Sequence, residues 1–571
     1  MLKLEWLNPL GDWNPQLLRE LKGRLKPRNL ILAGAISILG QFLLLMSFLL
    51  RVPRATLDSN LIEVLPTNDS YCTGSINYSN DRTCLVDAAG DLLIDWQKWS
   101  LDLFLILSVI GIFGLLVAGT YLLIDNLAQE ERRGTLNFIR LSPRSPQSIL
   151  WGKILGVPIL LYVVVLLAVP LHLWAGFSAS IPLIRILSFY GVLGTSCLFF
   201  YSLSLLFGLI SSGGLSGFEA WLGSGTVLGF LYSAVAKPIE GDPLDWLNIF
   251  SPALVLQYLI TATGNEPTIS FSHLEIQNLH WFNLPVGLGI VGVVSISVLN
   301  YSLWTYWSWQ AMQRRFHNPG KSIFSKRQSY LLVACFEVVA LGFAVFGEKS
   351  QLIDHFYILL AYNFLLFFGL IIVLTPQRQS VQDWARYRKQ KHFSRKGLLN
   401  SSLVQDLVWG EKSPAIVAIA LNLAITAIIL IPWILVTLDE RDKLSSLMTL
   451  VLSLSLILVC AAISQLVVFT QTQKQGLWIM SILGTVIIAP PFMLVLLSID
   501  PAKAPTLWLF TVFAVAAIKD AGVFSIFLAL LGQLSVLTLC SWQITRQLKK
   551  AGESGSIGLF ASQPRIKSTN D

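Results

Sequence analysis

Residues 101–123 read LDLFLILSVIGIFGLLVAGTYLL, and Asp102 is the one charged residue among them. Crossing a bilayer core of about 30 Å takes about 20 predominantly apolar residues when the backbone is helical. This stretch is long enough. Its Leu, Ile and Val run continuously, whereas the strands of a transmembrane barrel alternate apolar and polar residues over about 10 positions. The same signature recurs in Ile154–Val169, Ala415–Val436 and Leu447–Phe469. The expected fold class is therefore an all-α polytopic membrane protein.

Composition agrees. Of 571 residues, 54% are hydrophobic and 13% charged, against about 25% charged in an average soluble domain, which excludes a soluble globular chain. Twelve spans are expected, at about 30–50, 101–125, 149–176, 183–210, 217–236, 284–309, 329–347, 355–375, 414–437, 446–469, 478–499 and 523–545. The apolar stretch 506–518 is short for a crossing and is followed by Lys519 and Asp520, so it is expected to be re-entrant or interfacial. Pro15–Arg28 carries five basic residues where a signal peptide would carry its apolar core, so no cleaved leader is expected.

The net charge of +8 follows membrane topology, and no nucleic-acid partner is expected. With the N-terminus inside, the inner segments hold 29 Lys and Arg and the outer ones 9, as the positive-inside bias requires. An N-in, C-in chain in a bacterial cytoplasmic (inner) membrane is expected. Its parts are a cytoplasmic amphipathic interface helix at 1–29, a six-helix half at 30–312 with external loops 51–100 and 237–283, and two linking helices with a basic loop at 313–398. A second, degenerate half follows at 399–548, and then a disordered tail at 549–571. Within the second external loop, Leu274, Ile276, Leu279, Trp281 and Phe282 mixed with polar residues predict a helix at the outer interface.

No catalytic constellation is present. The six His residues are scattered, H-E-x-x-H and paired C-x-x-C motifs are absent, and no metal site is expected. Gly320-Lys321-Ser322 lacks the upstream glycine of a phosphate loop, because Arg315 stands there. Four cysteines lie inside apolar segments, but Cys72 and Cys84 share a polar external loop and are expected to form a disulfide closing 11 residues. Glu337 falls in the middle of the seventh span, where a carboxylate costs about 2.5–3.5 kcal/mol to insert; it is the intramembrane polar candidate.

In the N-terminal segment, Leu17, Leu18, Leu21 and Leu25 share one side of a helix, with Arg19, Lys22 and Lys26 on the other and Glu20 between them. That is the pattern of a helix lying in the interface. Between the second and third spans, Asp125–Gly152 carries Glu130, Glu131, Arg132, Arg133, Gly134 and Thr135, then Leu136, Phe138 and Ile139. A solvated turn has no need of such an apolar ridge, so the segment is read as presenting ion-pair partners and a ridge to something in the cytosol. The entry to the first span is echoed before the ninth by Val404-Gln405-Asp406-Leu407, and the loop Thr470–Gly476 echoes Ala128–Gly134, with Gln473, Lys474 and Gln475 replacing its acidic pair.

At these residues the chain resembles the permease subunits of ABC-2 family ABC transporters. That family carries an interface helix and a coupling helix with a pattern like E-x-E-x-G-T-L-E followed by T-P-x-S. Glu131, Gly134, Thr135 and Leu136 match it, Ser142-Pro143 and Ser145 resemble its trailing part, and Asn137 stands where an acidic residue is usual. Asn14-Pro15 and Arg315–Pro319 are similar too. The resemblance implies a non-enzymatic exporter subunit, driven by a separate ATP-binding subunit that carries the ATP and Mg, so that this chain needs no cofactor of its own. A second copy or a second permease is a further partner it allows. Two rival readings are an ion-coupled secondary transporter using Glu337 and a non-transporting membrane scaffold.

Overall fold

The structure is a computed structural model that describes all residues except 1–7, 54–67, 76–81, 88–90, 212–216, 265–266, 269–275, 319, 348–350, 393–400, 471–474 and 553–571. Its described residues are mostly helical, with one two-residue antiparallel pairing of Asn68–Asp69 with Arg82–Thr83 and isolated bridges Cys72–Ile94 and Val86–Leu92. The chain forms two compact units, Met1–His280 with Leu284–Pro319, and Trp281–Asn283 with Gly320–Asp571.

The first unit opens with α1 (Asn8–Trp13) and α2 (Pro15–Arg24). Asn14 caps α2 by accepting from the Leu17 amide at 3.0 Å, with Pro15 at the position that needs no donor. Next come α3 (Pro27–Leu49) and α4 (Trp96–Phe113), then a π-helical turn at Gly114–Ala118 and α5 (Gly119–Arg132), which continue without a break from α4. Short α6 (Thr135–Arg140) leads to α7 (Pro146–Gly156), α8 (Ile159–Ser178), α9 (Leu183–Ser211) and α10 (Glu219–Ala236). The unit closes with α11 (Asp245–Asn248), α12 (Leu256–Thr261) and α13 (Ile290–His317). Its core joins Leu127 and Leu136 to Leu150, Tyr201, Leu205 and Phe316.

The second unit contains α14 (Lys326–Ala344), α15 (Leu352–Leu374), α16 (Arg378–His392), α17 (Ser401–Trp409), α18 (Ile416–Thr437) and α19 (Glu440–Val467). After them come α20 (Gln475–Leu496), α21 (Pro505–Trp508), α22 (Ala514–Ala517) and α23 (Val523–Ala551). Val333, Phe367, Ile419 and Cys460 centre its core. Short α17 precedes span α18 as short α2 precedes α3, each led in by a Pro or a Ser-Pro pair.

Among the described residues, eleven helices are long and apolar enough to cross a membrane, and the chain is a multi-pass membrane protein. The fifth expected segment, 217–236, is helical as α10, but Glu219 and its interspersed Gly, Ser and Thr keep it outside that set. The expected span 149–176 is two helices, because Pro158 has no amide to continue the ladder of α7 and α8 begins at Ile159. The stretch 506–518 is likewise no single helix: α21 and α22 are four residues each and bury Trp508, Leu509 and Ala517 together with Leu452 and Ala529. Of the expected outer interface helix, Leu274 lies outside the described residues, Ile276–Asn278 form one 3-10 turn, and the Trp281 indole donates to the Val339 carbonyl at 3.4 Å. Helix α23 runs through Ala551, past the start of the expected disordered tail, whose remainder from 553 lies outside the described residues.

Candidate coupling surface and the charge cluster behind it

Helix α5 ends at Arg132, and the chain reverses through Gly134, whose φ of +70° is a left-handed conformation that a side chain makes costly. The reversal launches α6, and the Thr135 hydroxyl ties its first turn to the Glu130 carbonyl at 3.1 Å. Residues three apart share a helix face. Leu136 and Ile139 therefore face inward, 0% and 6% exposed, whereas Phe138 and Leu141 point away from the unit, 80% and 84% exposed. The apolar ridge expected from Leu136, Phe138 and Ile139 is thus divided: two residues anchor the helix, and Phe138 with the unanticipated Leu141 forms the outward surface.

Behind α6 lies a cluster of charges. One oxygen of the Glu130 carboxylate accepts from the Lys153 ammonium at 2.6 Å and the other from the Arg19 guanidinium at 2.9 Å. Lys153 also donates to Asn126 Oδ1 at 2.8 Å. Glu20, buried on α2, accepts from Gln16 at 2.9 Å and from Arg24 at 3.3 Å. Lys153 lies on α7, ahead of the span α8; burial pushes its ammonium below the ordinary lysine range, and Glu130, then Glu20, oppose that push. Three helices are pinned here. Asn14 adds a further tie by donating to the Ser148 carbonyl at 2.7 Å, and α7 offers Gly152, where a Cβ would stand 2.8 Å from the Leu17 amide nitrogen.

The acidic pair of the sequence is thereby split in role. Glu130 faces inward, at the centre of the cluster. Glu131 is partly exposed and pairs with Arg140 at 3.5 Å, within reach of α6. Burial lowers the Arg140 guanidinium from its ordinary value, and Glu131 counteracts it. Arg132 stands 3.8 Å from Glu219, which is buried rather than at the surface of its helix. Arg133, Gly134, Thr135, Lys22 and Lys26 are exposed. The second-copy loop with Gln473 and Lys474 lies outside the described residues.

Two other sites stand apart from this surface. Cys72 and Cys84 are joined by a disulfide beside the short strand pair. In the second unit Glu337, with no exposed surface, accepts from the Thr426 hydroxyl at 2.7 Å and from the Asn363 amide at 3.4 Å. Lys153 is the residue that sequence reading passed over. A lysine set between Trp151 and Ile154 is a strong signal, because an ammonium in an apolar helix needs a partner. Compared with protein-family models, curated proteins and solved structures, the chain matches none.

Proposed function

We propose that this chain is the membrane-spanning permease subunit of an ABC-2-type exporter in a bacterial cytoplasmic membrane, driven by a separate ATP-binding subunit that docks on α6. The observation that carries the reading is the exposed Phe138 and Leu141 pair on a helix anchored by Leu136 and Ile139. Such a surface suits a soluble motor that grips an apolar knob next to the Glu131 and Arg140 charges. Motion of α6 would pass through Gly134 into the continuous helix Trp96–Arg132, 37 residues long, or about 55 Å at the helical rise. The Arg19, Glu130 and Lys153 cluster would carry α2 and α7 along with it. No step in this role asks the chain itself for catalysis.

The test is to co-express the tagged chain with a candidate ATP-binding subunit and to compare wild type with Phe138→Asp and Leu141→Asp. Both residues are exposed, so insertion and folding should persist while co-purified ATPase falls. Undiminished association in both variants would overturn the reading. The ion-coupled carrier remains a second reading because of one observation, the buried Glu337 carboxyl and its two neutral partners.

A further inference from the structure

The second unit holds a feature that an ATP-driven permease does not require. Glu337 lies on α14, eleven residues from Lys326, which is about 16 Å along the helix. It has no exposed surface, and its carboxyl oxygens meet a threonine hydroxyl from α18 and an asparagine amide from α15. No ion pair reaches it among the described residues. Helix α18 has no ionisable side chain, and α15 carries Asp354, His355, Tyr357 and Tyr362. Helix α17 carries Asp406, which is paired with Arg388 at 3.2 Å, and α14 itself has Lys326, Arg327, Tyr330 and Cys335.

The two partners suit both protonation states. Facing a carboxylate, the Thr426 hydroxyl and the Asn363 N–H donate, as they do here. Facing a carboxylic acid, the Thr426 hydroxyl can turn toward the carbonyl of its own preceding helical turn, as helical Thr commonly does, and accept the acid proton. Asn363 offers a further acceptor, since its Oδ1 is buried without any donor. A buried acceptor left unpaired is costly, and a carboxyl O–H is the donor nearest at hand once the amide rotates. Toward the start of α14 the polar row continues. Asn422, one turn from Thr426, donates to the Ser329 hydroxyl at 3.0 Å, Ser329 donates to the Lys326 carbonyl at 2.7 Å, and the Lys326 ammonium closes the row on Ser413 at 2.6 Å.

We infer that Glu337 is an exchangeable proton site, reached from the Lys326 end of the second unit along the row of Ser329, Asn422 and Thr426. The site goes beyond the permease reading and does not depend on it.

Dicyclohexylcarbodiimide, which modifies protonated carboxyls in apolar surroundings, is the probe. The purified full chain in lipid nanodiscs, with no ATP-binding subunit present, is treated between about pH 5 and about pH 9, the range in which buried carboxyls titrate, and the adduct is quantified by peptide mass spectrometry. Modification at Glu337 should fall by about tenfold or more across the range, as a single site shifts its protonated-to-ionised ratio tenfold per pH unit, and Thr426→Val should move the midpoint. Labelling that is flat with pH would show a permanently protonated structural hydrogen bond and overturn the proposal, as would no labelling at any pH. Because the motor is absent, neither result bears on the docking of an ATPase at α6.

Discussion

The Lys153 ammonium sits 2.6 Å from the Glu130 carboxylate, with none of the lysine side chain and 8% of the glutamate side chain exposed. The acidic pair at 130 and 131 therefore serves two structural purposes. Glu130 ties α2, α5 and α7 together, whereas Glu131 is part-exposed beside Arg140. Neutralising both at once would confound docking with folding.

Removing one member of a buried ion pair strands the other charge and costs about 3–5 kcal/mol, whereas replacing both with neutral groups is often close to neutral. Glu130→Gln and Lys153→Met are each expected to lower the thermal unfolding midpoint of the detergent-purified chain, and the double variant should recover most of the loss. Additive losses would show that the pair is not coupled.

Gly152→Ala should loosen α2, because its Cβ would meet the Leu17 amide nitrogen at 2.8 Å and Asn14 Oδ1 at 2.9 Å. Overpacking of this kind costs about 1–3 kcal/mol. Limited trypsin digestion at Arg19, Lys22 and Arg24 reports it directly as faster cleavage. Gly23→Ala is the control, since a Cβ there meets nothing within 4 Å and the change favours the helix.

Glu131→Lys should leave membrane insertion intact and weaken motor association about fivefold, the effect of a part-exposed ion pair of about 1 kcal/mol. The intramolecular pairing with Arg140 offers a separate explanation for any loss, and the charge swap Glu131→Arg with Arg140→Glu distinguishes the two. Rescue by the swap would mean that Glu131 only positions α6; persistent loss is the expected outcome for a contact to the motor.

At the start of α11, Asp245 is buried and accepts from Lys237 at 3.0 Å and from the Gly241 amide at 2.7 Å. Burial, with Asp242 adding to it and Lys237 pulling the other way, raises its pKa to about 6 from the ordinary 3.8. Lys237 is itself raised, because the two carboxylates outweigh its burial. A carboxyl whose folded pKa lies above its unfolded one adds stability that is full below the unfolded value and is lost as pH rises through about 6. The wild-type unfolding midpoint should therefore fall across that window by a component that Asp245→Asn lacks. Identical pH profiles for the two proteins would contradict the assignment.

The Cys72–Cys84 bridge encloses 11 residues, a loop worth about 2–3 kcal/mol in the chain-entropy model. Cys84→Ser should lower stability by that order. In unreduced membranes, an impermeant maleimide should fail to label either residue; ready labelling would refute the bridge in the native protein.

The membrane fold was legible from the chain alone because it rests on a one-dimensional quantity, the length of each apolar run against the thickness of a bilayer. The cap of α2 is local in the same way, Asn14 followed by Pro15 being a pattern of adjacent residues. Breaks inside apolar runs were harder to see, since Pro158 separates α7 from α8 whereas Pro170 and Pro432 are carried within α8 and α18. The candidate surface depended still more on tertiary structure. Charge type told that Glu130 and Glu131 needed partners, but not that Lys153, 23 positions away, would take one of them into the interior. Likewise, the hydropathy of Leu136, Phe138, Ile139 and Leu141 is alike in sequence. Only the direction in which Gly134 launches α6 decides which two are buried and which two face outward, because burial belongs to the neighbours that folding brings near and not to the residue itself.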